Sequence, residues 1–188
     1  DLDFELVTKG RLLFRGANGS GKSVTMQSFI PLVLDGDKRP ERLDSFGSRD
    51  RRMEYYLLGD SETGHMDRTG YLWIEFYHED KQSYKTIGIA LRARRGAAQM
   101  VFWGFLLEDG RRINQDLHLY DYPNWLETKK KVPLTRKALT EVIGAGGIVV
   151  QEQATYRELV KKHIFGFKDN NDSYKDLLKL LLEIRSPK

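Results

Sequence analysis

The chain has 188 residues, 40% of them hydrophobic and 11% aromatic, with a formal net charge of +4. That is enough apolar material for a buried core, which excludes a disordered chain, while the mild cationic excess permits an anionic partner without requiring one. The absence of cysteine excludes disulfides, thiolate metal sites and a cysteine nucleophile.

Residues 3–15 are predicted to form two short strands joined by a Thr8-Lys9-Gly10 turn. The second strand, around Leu12-Leu13-Phe14, delivers the chain into Gly16-Ala17-Asn18-Gly19-Ser20-Gly21-Lys22-Ser23, which satisfies the G-x-x-x-x-G-K-[ST] pattern of a phosphate-binding loop. The chemistry fixes those residue types. A triphosphate must be met by backbone N–H groups at close range, and Gly16, Gly19 and Gly21 have no Cβ to hold it away. Lys22 is expected to reach the β- and γ-phosphates and Ser23 to place its hydroxyl on Mg²⁺. Val24 follows, its backbone amide placed for the α-phosphate, and a helix beginning nearby points its positive end at the phosphates. Pro31 is expected to kink or end that helix, with Leu32-Val33-Leu34 extending its packing face until Asp35-Gly36 turns the chain.

Residues 36–52 gather Lys38, Arg39, Arg42, Arg49, Arg51 and Arg52 in a stretch of little periodicity. Two readings stay open. The cations are solvated and paired locally with Asp37, Glu41, Asp44 and Asp50, or they contact nucleic-acid phosphates or, through Arg49, the nucleotide.

From Gly70 the pattern has period two, with Leu72, Ile74 and Phe76 on one face of a strand and Tyr71, Trp73, Glu75 and Tyr77 on the other. Further strands are predicted over 84–93 and 99–108, the latter apolar on both faces as an interior strand should be. Asp109-Gly110 is predicted to be a tight turn that returns the chain through Ile113 and Leu117-His118-Leu119, completing an antiparallel meander. Trp73, Phe102 and Trp103 are assigned to the core. Arg92-Ala93-Arg94-Arg95 and Lys129-Lys130-Lys131 read as charged loop tips. The histidines at 65, 78, 118 and 163 lack metal-ligand spacing and read as surface or packing residues.

The last third is helical. One helix follows Leu134-Thr135 and stops at Gly144-Ala145-Gly146-Gly147, and a strand Ile148-Val149-Val150 runs into Gln151-Glu152-Gln153. A second helix is predicted over 155–165, ending at Gly166, and a third carries Tyr174, Leu177, Leu178, Leu181, Leu182 and Ile184. No apolar stretch approaches the roughly 18 residues that cross a bilayer, and no signal-peptide layout opens the chain, so a soluble intracellular protein is expected. The chain starts at Asp1 without a Met and stops just past an apolar helical run, as a piece of a longer protein would.

The loop at 16–23 resembles the Asn-containing phosphate loop of ABC-type ATPase heads, particularly those of SMC proteins. Pro40-Glu41-Arg42-Leu43-Asp44-Ser45-Phe46-Gly47-Ser48-Arg49-Asp50 and the ending at 174–187 are similar to the MukB-like subunits of Wadjet condensin systems, which defend against plasmid DNA. The resemblance spans nearly the whole chain. It implies an α/β fold: a P-loop NTPase head lobe of the ABC/SMC type over residues 1–188, with an added antiparallel β-meander and C-terminal helices leading toward a coiled coil. It implies ATP and Mg²⁺ held by Asn18, Gly19, Ser20, Gly21, Lys22, Ser23 and Val24. Gln151, or failing it Gln153, is similar in layout to the Q-loop glutamine that ligands Mg²⁺ and positions the attacking water. Arg49, Arg51 and Arg52 resemble in position a regulatory arginine loop. Implied partners are the protein's own C-terminal head lobe, a second head in a homodimer, a kleisin-like subunit and double-stranded DNA, in a cytoplasmic, nucleoid-associated setting.

The chain departs from a complete ATPase. It has no apolar run followed by Asp-Glu and no Leu-Ser-Gly-Gly-like signature, so the loop is expected to be half of an active site. Two alternatives remain. One is a self-contained phosphotransferase drawing its acidic Mg²⁺ partner from Asp60, Glu75 or Asp109. The other is a DNA-binding module with a vestigial nucleotide site.

Overall fold

A computed structural model describes residues 29–39, 53–62, 64–167 and 173–183. The strands expected over 3–15, the phosphate loop and the arginines at 49, 51 and 52 lie outside the described residues.

The centre of the fold is a four-stranded antiparallel sheet in the order β1-β2-β3-β4. Its strands are β1 (Asp67–His78), β2 (Ser83–Arg94), β3 (Val101–Leu107) and β4 (Gly147–Val150). Period-two alternation has its expected consequence: Leu72, Ile74 and Phe76 of β1 and Ile87, Ile89 and Leu91 of β2 face one apolar cluster, while Tyr71, Trp73 and Ala90 face another. β3, apolar on both faces, is interior between β2 and β4. Trp103 is buried, and Trp73 and Phe102 pack against the two clusters.

Helices cover both faces. On the first face lie α1 (Ile30–Asp35), α2 (Met53–Leu58), α5 (Gln153–His163) and α6 (Ser173–Glu183), which contribute Leu32, Met53, Leu58, Tyr156, Val160, Tyr174 and Leu178 to one cluster. On the second, α4 (Arg136–Ile143) brings Leu139 and Ile143, and the loop before α3 (Tyr122–Thr128) adds Ile113, Leu117 and Leu119. Covering both faces explains why β2 reads as a nearly continuous buried run.

Three expectations need correction. Asp109-Gly110 does turn the chain, with Gly110 at φ 87, but residues 111–119 form no ladder strand. The Asp109 carboxylate accepts from the Arg111 backbone N–H and side chain, and Arg111 donates onward to the Val142 and Ile143 carbonyls. That route carries the chain off the sheet edge and leaves the place beside β3 to β4, which pairs Gly104 with Val150 and Leu107 with Gly147. The run at 92–95 is no loop tip: Arg92 and Arg94 end β2, and both bond Asp67 of β1. The helix that Pro31 was expected to kink or end lies outside the described residues; the described helix α1 begins beside Pro31. The Phe29 backbone is already helical, Pro31 occupies the first turn where its missing N–H costs nothing, and the helix stops at Gly36 in the left-handed conformation. Finally, α2 and α3 were not expected. The sign of α3 was Asp121 ahead of Pro123, an N-cap followed by proline, and the Asp121 carboxylate accepts from the Asn124 N–H.

Candidate functional site at the end of β4

The C-terminal turn of an α-helix leaves carbonyls without intrahelical partners, and in a core each unmet one is costly. α1 is buried from Pro31 to Asp35 and meets this need with side chains from distant sequence. The Gly36 N–H donates to the Leu32 carbonyl at 2.7 Å. The Tyr156 hydroxyl donates to Val33 at 2.5 Å, the Tyr174 hydroxyl to Leu34 at 2.5 Å, and the Gln153 carboxamide to Asp35 at 2.9 Å. Burial, helped by Tyr174 and Asp35 nearby, pushes the Tyr156 phenol well above its ordinary range, so it remains a donor. Gly36 is required twice over, at φ 68 and with Gln153, Phe102 and Tyr156 all 3.2 Å from where a Cβ would stand. Gly104 leaves the space that the Tyr156 ring occupies.

Beyond this anchored end opens a polar cleft of about 390 Å³, bordered by residues 36–39, by Gln99 and Met100, and by Gln151, Glu152, Gln153 and Arg157. Lys38 crosses to donate to the Met100 carbonyl at 2.9 Å, and Asp37 grips the Arg39 guanidinium at 2.6 Å. The Arg157 Nε is buried without a hydrogen-bond partner among the described residues.

The two glutamines expected from sequence therefore differ. Gln153 is held by the α1 carbonyl and acts as a strut. Gln151 stands exposed at the bend after β4 and borders the cleft. Lys22, Ser23, the remaining phosphate-loop residues, Val24 and Arg49, Arg51 and Arg52 lie outside the described residues.

The acids suggested for a self-contained enzyme are dispersed. Glu75 bonds Arg112 at 2.6 Å, Asp109 bonds Arg111 at 2.7 Å, and Asp60 accepts from the Tyr55 hydroxyl at 3.2 Å. Among the described residues no group of three His, Asp or Glu side chains gathers as a metal site. Of the histidines, His118 stacks on Tyr122 and His163 meets Glu108 at 3.1 Å. Among the described residues no helix is long and apolar enough to cross a membrane.

Sequence reasoning missed Tyr156, Tyr174 and Arg157 as parts of this region. The only local signal was that Gln153, Tyr156 and Arg157 share a face of α5 at i, i+3 and i+4 spacing. A comparison with protein-family models, curated proteins and solved structures found no match for the chain.

Proposed function

We propose that the chain binds ATP with Mg²⁺ as the phosphate-loop half of an SMC-like head ATPase that closes on a second head around nucleotide and acts on double-stranded DNA, by loop extrusion, condensation or restriction of plasmid DNA. The observation that carries the reading is the spacing of Gly16, Gly19, Gly21, Lys22 and Ser23, which pairs backbone donors with a lysine and a metal-binding hydroxyl in one turn of chain. Two features support it. The chain runs from that loop to α1, whose far end is pinned in the core by three side chains. Gln151 is exposed at the end of an apolar strand, where a carboxamide can serve a ligand instead of the fold.

In this reading residues 18–24 hold the phosphates, Lys22 orients the γ-phosphate, and Ser23 with Gln151 supplies oxygen ligands of the hard type that Mg²⁺ takes. Mg²⁺ held there would supply neutralisation of the phosphate charge. Arg49, Arg51 and Arg52 serve DNA or regulation. The acidic pair and signature come from the protein's own C-terminal lobe and from the second head, with a kleisin-like subunit joining the heads, in the cytoplasm at the nucleoid. The dispersal of Glu75 and Asp109 onto arginine partners weighs against the self-contained phosphotransferase.

The test is titration of a fluorescent ATP analogue with Mg²⁺ into the chain and its Lys22→Ala variant. Affinity should fall at least about tenfold, since the lysine's phosphate contacts are charge-assisted. Undiminished binding by the variant would show the assignment to be wrong.

A further inference from the structure

The helix α5 is fastened at both ends by side-chain contacts with other elements, and the two fastenings differ in kind. At its start, the Gln153 carboxamide donates to the Asp35 carbonyl at 2.9 Å, a contact between groups that do not titrate. At its end, His163 Nδ1 lies 3.1 Å from Glu108 Oε2. The Lys85 ammonium reaches the same oxygen at 3.1 Å and donates to the His163 carbonyl at 3.4 Å. One carboxylate, just past β3, therefore gathers β2 and the last residue of α5.

Of these three residue types, histidine is the one that changes charge between about pH 5 and about pH 8. Desolvation opposes the charge on Glu108, but hydrogen bonds from Lys85 and His163 outweigh it and hold the carboxyl below its ordinary range. Glu108 is thus an anion throughout the range in which histidine titrates. The other charges nearby divide. Lys85, with Lys161 and Lys162 on the last turn of α5, opposes a proton on His163, although Lys161 is itself engaged by Glu158 at 3.4 Å. The Glu108 carboxylate, in direct contact, and the negative end of the helix on which His163 sits favour it.

We propose that Glu108 and His163 form a proton-operated clasp: with His163 protonated an ion pair holds the C-terminal end of α5 to the sheet, and with His163 neutral that end is looser. The stabilisation is present at the acidic side of the histidine range and is lost as pH rises through it. The clasp acts on the helix whose first residues border the cleft, and it is independent of the nucleotide reading.

Amide hydrogen exchange of the whole chain, followed by NMR and corrected for intrinsic rates, tests this within one helix. The Ile164 and Phe167 N–H groups donate to the Val160 and Lys161 carbonyls at the end of α5, and the Tyr156 N–H donates to Glu152 at its start. Protection of Ile164 and Phe167 should be about two- to fivefold greater at about pH 5.5 than at about pH 8, the size expected of a partly exposed ion pair. Tyr156 should not change. His163→Gln keeps a donor without the charge and Glu108→Gln keeps an acceptor without it, so each should remove the pH dependence, whereas Lys85→Met should leave it. None of the three side chains is buried, so the variants should keep the fold. Four results would overturn the proposal: no pH dependence at Ile164 and Phe167, the same dependence in His163→Gln, its loss in Lys85→Met, or an equal change at Tyr156.

Discussion

A hydroxyl at position 156 does what no apolar atom there could do. Tyr156 is fully buried, and its ring fills the space left by Gly104 while its oxygen satisfies the Val33 carbonyl. Tyr156→Phe keeps the ring and orphans the carbonyl, so urea unfolding should show a loss of about 1–3 kcal/mol. A loss below about 0.5 kcal/mol would mean the carbonyl has another partner. The two glutamines separate on the same logic. Gln153→Ala should lower stability by about 1 kcal/mol with nucleotide affinity little changed, whereas Gln151→Ala should spare stability and weaken the Mg²⁺-dependent part of nucleotide binding. Sequence could not make this distinction, because both residues read as polar positions at a strand end. The partner that commits Gln153 lies 118 residues away in the chain. Tyr156 was equally hidden: helical spacing marks its face as buried but says nothing about where a hydroxyl ends up.

At the scale of elements, the pairing of β1 with β2 is tied at one end by charge. Hydrogen bonds from Arg92, partly opposed by desolvation and reinforced by Arg94, hold the Asp67 carboxyl at about 2, below the ordinary 3.8. A carboxylate depressed in the folded state contributes stability that is complete above its unfolded value and is lost as pH falls through the folded one. The expected window is therefore from about pH 4 down to about pH 2, and Asp67→Asn should flatten the acid loss of stability there, as followed by thermal melts across pH. An unchanged slope would remove Asp67 from the acid response. The strands themselves were legible, β1 and β2 from alternation and β3 from a run apolar on both faces, to within three residues at each end. The errors came where local chemistry admits two outcomes. A basic run is the same string of letters at a loop tip or at a strand end, and only a carboxylate on the neighbouring strand decides. Asp-Gly specifies a turn but not what the chain pairs with afterwards, which here was fixed by Arg111 reaching the end of α4.

For the whole molecule, the antiparallel sheet has both faces covered and α1 is locked against one of them, which sequence signalled only through the two-faced apolar run of β3. The proposed function rests on the phosphate-loop pattern at 16–23 and on a sequence without an Asp-Glu strand end or a Leu-Ser-Gly-Gly-like signature, and it predicts a half-site that binds nucleotide without turning it over. The most direct measurement is calorimetric titration of the chain with ATP and Mg²⁺, with phosphate release followed in the same sample. The account predicts saturable binding at one site per chain, abolished by Lys22→Ala, and no phosphate release above background. Absence of binding, or steady turnover by the chain alone, would contradict it.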